Sequence, residues 1–188
     1  IKKNVQQKQQ IAQLSEAVGK TEEIEEIYEL ALNALEKTIA ADRASVLLFD
    51  ADGVIRFKAS RGLSVEYLRS AEGHSPWQQD EKNPLPIFVP NVENEPSLKS
   101  LHAVILKEGI RALAFIPLVY QNCLIGKFMV YFNNEHILTE DEIQLTQTIS
   151  SLVSHGIGQK RSELNLRESE KKYRDVVNSV QEIIFKTD

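Results

Sequence analysis

The sequence predicts an α+β fold in which helices cover a central antiparallel sheet. The first indication is a pair of apolar runs, residues 112–120 and 123–132, separated only by Gln121 and Asn122. Both runs are rich in β-branched and aromatic residues, and a polar pair between such runs is typical of a tight hairpin. The second indication is that amphipathic helical patterns precede and follow this hairpin, because such helices cover a sheet.

The composition of the 188-residue chain is that of one globular domain with extensions: 42% of residues are hydrophobic and 26% are charged. The net charge of −5 and the lack of basic clusters with aromatic residues give no reason to expect nucleic-acid binding. No apolar run reaches the ~20 residues of a membrane span, so no membrane contact is expected. The single cysteine excludes an internal disulfide framework and fits a cytoplasmic setting.

Two helices and two strands are predicted before residue 61. A thin, heptad-like apolar stripe over residues 1–20 suits a helix that packs against one partner. Residues 21–41 have the i, i+3, i+4, i+7 pattern of an amphipathic helix, with Thr21 as the predicted N-cap. Strands at 44–49 and 54–60 then form a hairpin around an Asp-Ala-Asp-Gly turn.

A long excursion follows, and it separates the two predicted hairpins. Ser64 can cap a short helix, but from residue 71 to 96 the periodicity is lost and every proline except Pro117 lies in this stretch. Residues 86–89 favour an edge strand because of the flanking prolines, and an amphipathic helix is predicted at 97–108. A structureless connection of this length in a compact domain is usually functional.

The last part of the chain is predicted to be a long helix. Thr139 and Glu142 form a capping box, in which the hydroxyl and the carboxylate cap each other's backbone N–H groups. Apolar periodicity continues to about residue 158, and the charged residues 159–175 are typical of a solvated helical connector. The chain begins without methionine, which favours a segment of a longer protein.

Six phrases occur in order along the chain: RASVLLFDADG (43–53), KASRGLS (58–64), GHSPW (73–77), PIFVPNVENEP (86–96), GIRALAFIPLVYQNCLIGKFMVYF (109–132) and LTEDEIQLTQTISSLVSHGI (138–157). Together they resemble the GAF domain of bacterial and archaeal signalling proteins, over residues 21–158. The resemblance implies an antiparallel sheet of five or six strands, with the N- and C-terminal helices packed on one face and a ligand-pocket excursion on the other. It also implies a parent protein such as a sensor histidine kinase of a two-component system or a diguanylate cyclase.

The end of the chain, residues 166–188, resembles the opening of a PAS domain. Its pattern predicts a helix end at 176–180 and a strand at 182–186. A PAS domain needs many more residues to bury a core, so this one is expected to be truncated. The predicted domains are a signalling helix or linker at 1–20, the GAF domain at 21–158, a helical connector at 159–175 and the PAS start at 176–188.

No catalytic motif is visible, so the chain is interpreted as a regulatory module and not an enzyme. It has no glycine-rich phosphate loop, no His-Glu-x-x-His and no Gly-x-Ser-x-Gly. His155 lies on a predicted helix, but Gly156 follows it where kinase phosphoacceptor histidines typically have an acid. His155 is therefore interpreted as an ordinary helix-surface histidine.

Two ligand signatures known in the family are only partly present. Asn133, Asp141 and Glu142 match the cyclic-nucleotide signature, but Asn134 occupies the lysine position, so its lysine–aspartate ion pair cannot form. Cys123 could in principle carry a bilin, but no local bilin motif surrounds it. It is therefore interpreted as a strand residue.

The pocket candidates are residues of the excursion and of the sheet below it. His74 and Trp77 either hold a small ligand or anchor the excursion in the core, and tryptophan usually does the latter. Phe115 and Phe128 face either the pocket or the helices. The ligand is unknown, no cofactor is expected, and heme or bilin is the minor alternative. The candidate pocket residues are His74, Trp77, Ile87, Phe88 and Phe115.

The terminal helices carry the predicted output. Pairing of the apolar stripes at 5–18 and 143–164 across a two-fold axis would form a four-helix bundle, so a homodimer is expected. Gly156 and Gly158 either allow close helix packing or weaken the helix before the connector, since glycine costs about 1 kcal/mol there. The competing function is a dimerisation or spacer domain without a ligand.

Overall fold

A five-stranded antiparallel sheet organises the computed structural model, which describes the backbone of residues 2–185 and the side chains of residues 8–178. The strands are β1 (Arg43–Phe49), β2 (Ile55–Arg61), β3 (Ile87–Val89), β4 (Ala112–Tyr120) and β5 (Cys123–Phe132). Their order is β2-β1-β5-β4-β3. The helices are α1 (Lys2–Lys20), α2 (Ile24–Ile39), α3 (Val65–Ala71), α4 (His102–Lys107) and α5 (Glu140–Phe185).

The hairpin of β4 and β5 is at the centre of this sheet, as the sequence predicts. β5 pairs with β4 on one side and with β1 on the other. Gln121 and Asn122 join the hairpin with φ angles of 49° and 62°. Two positive φ angles in a two-residue turn match the twist of antiparallel strands. The edge position of the short strand β3 is also confirmed.

Helices α1, α2 and α5 cover one face of the sheet. Their apolar sides meet alternate strand residues in one continuous core, which includes Phe128. The other face is covered by α3, the excursion and α4, whose apolar residues form a second core that includes Phe115 and Trp77. The predicted α+β fold is confirmed, and the two phenylalanines lie on opposite faces.

The helix predicted at 97–108 is wrong over its first half. A 3-10 turn occupies Pro96–Leu98, and α4 begins only at His102. The Glu95 carboxylate accepts a hydrogen bond from the Ser97 N–H at 3.2 Å, and an i→i+3 bond joins Leu101 N to the Leu98 carbonyl. These local bonds satisfy the backbone of this stretch without an α-helix.

The start of α2 also differs from the prediction. The helix begins at Ile24, and Thr21 does not cap it. The Thr21 hydroxyl instead contacts the carboxylate of Glu26. By contrast, Ser64 caps α3 as predicted, accepting a hydrogen bond from the N–H of Tyr67 at 3.1 Å.

Helix α5 confirms the predicted capping box and overturns the predicted strand. The Glu142 carboxylate accepts from the Thr139 N–H at 2.8 Å, and the Thr139 hydroxyl accepts from the Glu142 N–H at 3.3 Å. The helix then continues to Phe185, so residues 182–185 are not a strand. A helix satisfies its own backbone groups, whereas a strand needs a neighbour. The remainder of that predicted strand and the chain end, 186–188, lie outside the described residues.

The two glycines near the middle of α5 are sites of close packing. A Cβ on Gly156 would lie 2.3 Å from Cγ1 of Val18 in α1, and one on Gly158 would lie 2.1 Å from Cγ of Tyr120 in β4. These contacts favour the packing interpretation over a weak point in the helix. No helix within residues 2–185 combines the length and the hydrophobicity that a membrane span requires.

Candidate functional site

A cavity of about 360 Å³ lies on the sheet face opposite the terminal helices. It lies between the strands and the covering layer of α3, α4 and the excursion. Its volume falls in the range of small-molecule pockets. The side chains that the central strands contribute are Leu47, Leu113, Phe115, Lys127, Met129 and Tyr131.

The cavity has an apolar interior and a more polar rim. The deepest lining residues are buried aliphatic and aromatic side chains. The exposed lining residues, which form the rim, include a histidine and two serines. A few polar groups around an apolar interior are typical of ligand pockets. The exposed set is His74, Pro76, Ile87, Ser97 and Ser100.

Lys127 is the most unusual residue of the cavity. It is a strand residue with a relative exposure of only 2%, and it lies among apolar neighbours. Its Nζ donates a hydrogen bond to the carbonyl of His74 at 2.7 Å and lies 5.0 Å from the ring centroid of Phe115. Burial lowers the pKa of Lys127 to about 7, because the charged form loses its hydration.

The position of Lys127 follows from the alternation of β5. Lys127 pairs with Leu47 of β1 and with Pro117 of β4, so it lies in the middle of the sheet. Its neighbour Phe128 packs towards the helices, and the next residue, Met129, again faces the cavity. Successive residues of a strand point to opposite faces.

Two tyrosines add hydroxyl groups to the apolar wall. The rings of Tyr67 and Tyr131 meet edge to face at 5.8 Å, and the Tyr131 hydroxyl lies 2.9 Å from the hydroxyl of Ser45. Burial raises the pKa of Tyr67 to about 12 and that of Tyr131 well above its usual value. Both phenols are therefore neutral hydrogen-bonding groups at physiological pH.

Glu108 ties the two covering helices together at the side of the cavity. It follows the last residue of α4, and its carboxylate accepts hydrogen bonds from the N–H and the hydroxyl of Ser64, at 2.7 and 2.6 Å. Ser64 is the N-cap of α3, so this contact fixes the start of one helix to the end of the other. A second link joins Lys107 to Glu66 at 2.7 Å on the exposed side.

The sequence candidates for the pocket fall into three places. His74, Ile87 and Phe115 line the cavity. Trp77 is buried in the same core but lines a separate shallow depression beside the cavity. Phe88 packs against the helix-side core and does not line the cavity. The reason is alternation, since Ile87 and Phe88 are neighbours on β3 and must face opposite ways.

Sequence reasoning missed Lys127, although a signal was present. It is the single charged residue in the apolar run 123–132. A lysine in a strand that pairs on both sides cannot reach solvent as easily as one on an edge, and buried lysines are rare. Tyr67 and Tyr131 had no comparable signal, because tyrosines are common in sheet cores.

Other residues considered from the sequence have ordinary structural positions. Cys123 is exposed next to the β4–β5 turn and does not line the cavity. His155 is an exposed helix residue whose ring lies 5.7 Å from that of Tyr120. The Asn133 side chain accepts a hydrogen bond from Arg43, and Glu142 caps α5. Within the described side chains, no cluster of three or more potential metal ligands is present.

Comparisons with known proteins agree with this geometry. The GAF domain family model matches residues 23–157. A domain of a protein described as a two-component sensor histidine kinase, from Sinorhizobium meliloti 1021, is 44% identical, with a TM-score of 0.73. That match covers 78% of this chain and 99% of the other. None of the curated proteins compared with the chain matches it.

More distant structures share the fold alone. The GAF domain of a phosphoenolpyruvate-protein phosphotransferase from Coxiella burnetii is 18% identical, with a TM-score of 0.66 over 84% of this chain and 95% of the other. The blue-light-absorbing PixJ GAF domain of Thermosynechococcus elongatus is 16% identical, with a TM-score of 0.64 over 80% and 93%. With the family model and the 44% identical structure taken together, this chain belongs to the GAF domain family.

Proposed function

We propose that this GAF domain is a non-catalytic sensory module of a cytoplasmic multidomain signalling protein, in which a small molecule binds in the cavity and the terminal helices transmit the signal. The cavity carries this proposal. It has a pocket-sized volume, an apolar interior and a buried lysine. A spacer domain has no need of such a cavity, and filling it with apolar side chains would increase stability.

The proposed route of the signal is strand β5. Met129 and Tyr131 contact the cavity, while Phe128 and Val130, on the other side of the same strand, pack against the helices. A ligand that binds one arrangement of the strand better than another would shift the helix layer with it. Signalling therefore requires differential affinity of the ligand for two states.

A thermal-shift screen followed by hydrogen exchange tests the proposal. A cavity ligand should raise the melting temperature by mass action, by a free energy of about 2.7 kcal/mol at a hundredfold excess over Kd. The same ligand should change exchange protection in the first half of α5, which does not line the cavity. If the ligand increases exchange protection only in the cavity walls, the domain binds a ligand but does not transmit the signal through its terminal helices.

The alternative function is a dimerisation or spacer domain without a ligand. The observation behind it is that the second half of α5 exposes apolar side chains that a dimer would bury, among them Leu166 at 61% and Tyr173 at 74% relative exposure. Failure of a broad screen of metabolites and nucleotides, together with a stable dimer, would favour this alternative. Both functions predict a dimer, so the cavity ligand is the observation that discriminates them.

A heme- or bilin-bearing sensor is the third and weakest function. The exposed position of Cys123 does not suit a thioether link to a chromophore inside the cavity. Among the described residues, His74 at the cavity rim is the candidate for an axial heme ligand. An absorption spectrum of the purified protein tests this function, because heme and bilins absorb well above the aromatic region.

A further inference from the structure

We infer that the cavity selects a small organic monocarboxylate, whose carboxylate binds Lys127 while its apolar part fills the space between the sheet and the covering helices. This inference rests on the proposed sensory function and names the chemistry of its ligand. It follows from the charges that line the cavity, from the position of Lys127 and from the character of the remaining wall.

The lining is electrostatically one-sided. It contains Lys127 and His74 but no aspartate or glutamate. Among the described residues, no carboxylate lies within ion-pair distance of Lys127, and its hydrogen bond is to a backbone carbonyl. An ammonium has three N–H donors, so at least one remains for a ligand. An anion in the cavity would thus meet a cation and no acid of the lining. The Glu108 carboxylate, which acts on the pKa of Tyr67 and Tyr131, is hydrogen-bonded to Ser64 outside the lining.

Lys127 is placed to bind a ligand and not to stabilise the empty fold. With 2% exposure it is cut off from bulk water, and burial of a cation without an ionic partner is unfavourable. A carboxylate in contact with Nζ supplies the missing partner inside a low-dielectric space. Charge-assisted hydrogen bonds of this kind are about twice as strong as neutral ones.

The rest of the wall limits the ligand to one charge and an apolar body. Phe57, Leu98, Ile105 and Phe115 contact anything that occupies the interior. A single lysine matches one carboxylate, whereas a phosphate dianion would bring a second charge, and the lining contains no arginine to bind it. Ligands with a cationic group would face Lys127 directly and be repelled.

The pH dependence of binding follows from the same residue. The pKa of Lys127 is lowered to about 7, so the empty protein must take up a proton to bind a carboxylate above that pH. The other ionisable groups at the cavity are Tyr67, Tyr131 and His74, and burial raises the pKa of both tyrosines. His74 is the other basic side chain of the lining, so the experiment includes a His74→Asn variant.

The test uses isothermal titration calorimetry of the full chain with matched probes. Phenylacetate and 4-methylpentanoate are compared with their neutral amides, with phenethylamine and with phenyl phosphate. We expect the carboxylates to bind at least about tenfold more tightly than the amides at pH 6.5, as one charge-assisted hydrogen bond is worth about 1.5–3 kcal/mol. Above pH 7 their affinity should fall about tenfold per pH unit, in wild type and in His74→Asn.

Lys127→Met should reduce carboxylate affinity by about 10- to 100-fold and change amide affinity by less than about threefold. The charge-matched control is Lys172→Met on the exposed half of α5, which should leave every affinity unchanged. If Lys127→Met does not fold, the probe series and the pH series on wild type still test whether the cavity prefers carboxylates.

The outcomes separate this inference from the proposed function. If amides, the amine or phenyl phosphate bind more tightly than the carboxylates, the inferred ligand class is wrong, but the proposed sensory function of the cavity stands. Carboxylate binding that is indifferent to pH and to Lys127→Met would also overturn it. If wild type binds none of the probes, both the inferred ligand class and the cavity as a ligand site are contradicted.

Discussion

At the scale of single residues, Lys127 and Gly126 show how closely the two faces of β5 are constrained. Lys127 points into the cavity, where its amine is buried and makes one hydrogen bond to the protein. Gly126 precedes it and faces the strand β1 so closely that a Cβ would lie 2.2 Å from the carbonyl oxygen of Leu47. Lys127 therefore lowers the stability of the empty domain, whereas Gly126 is required by the close packing of β5 against β1.

We predict that Lys127→Met is more stable than wild type at pH 7 by about 1–3 kcal/mol. The fall of the Lys127 pKa from 10.5 to about 7 corresponds to at most about 4–5 kcal/mol, and the loss of the bond to the His74 carbonyl offsets part of it. Because the folded pKa is lower than the unfolded one, the penalty is complete below pH 7 and disappears as pH rises towards 10.5.

Urea denaturation of both proteins between pH 6 and pH 10 measures this difference. The advantage of the variant should be largest at the acidic end and should vanish or reverse near pH 10. A stability difference that stays constant across this range would show that Lys127 does not lose its proton in the folded protein.

We predict that Gly126→Ala destabilises the domain by more than about 3 kcal/mol, since the new methyl group would collide with backbone atoms of β1. Gly19→Ala is the matched control, because a Cβ there meets nothing within 4 Å. In the helix α1 this control should be neutral or more stable by up to about 1 kcal/mol. Equal stability of both variants in urea would contradict the close approach of β5 to β1.

At the scale of elements, the sequence was most informative where one face of an element is buried. The hairpin of β4 and β5, the amphipathic α2 and the capping box at Thr139 were all predictable, because period and capping chemistry are local. The 3-10 turn at Pro96–Leu98 was not, because it rests on side-chain and i→i+3 hydrogen bonds that apolar periodicity does not reveal. The placement of Phe88 was not predictable either, because it depends on how β3 pairs with β4. The strand predicted at 182–186 failed because an apolar stretch does not reveal whether a pairing strand is present.

The candidate site was less predictable than the fold for the same reason. The excursion indicated where the cavity would lie, and His74 and Ile87 were found from it. Lys127 and Tyr131 lie on β5 and Tyr67 lies on α3, so these residues meet only because α3 covers the sheet. The lysine could have been identified as unusual, but that it has no carboxylate partner among the described residues is a property of the folded protein.

We predict that Glu108→Ala loosens the layer that covers the cavity. It removes two hydrogen bonds to Ser64, one of them from the backbone N–H at the start of α3. The expected loss is about 1–2 kcal/mol, with faster amide exchange over residues 64–71. Glu66→Ala is the matched control, because its exposed ion pair with Lys107 should contribute less than about 1 kcal/mol. Equal exchange in both variants would show that Glu108 does not fix the layer.

At the scale of the whole molecule, α5 is the longest element and runs from the sheet to Phe185. Its first half is buried against β4 and α2, with Ile149, Val153 and Ile157 in the core. Arg161 donates a hydrogen bond to the Phe49 carbonyl at 3.3 Å, which fixes the helix to the end of β1. Beyond this point the described side chains of α5 are largely exposed. The first half of α5 is therefore packed against the domain, whereas the second half has no packing partner within the described part of the chain.

We predict that the chain is a dimer and that Leu166→Glu/Tyr173→Glu makes it monomeric. These two exposed side chains are seven residues apart, so they occupy the same heptad position, and pairing two copies of α5 would bury both. Sedimentation velocity over a concentration series measures the change. Lys172→Glu changes the net charge by the same −2, and it should leave the dimer intact because the partner of Lys172 is Glu168 of the same helix. A monomeric wild type, or a double variant that still dimerises, would show that this half of α5 is not the dimer interface.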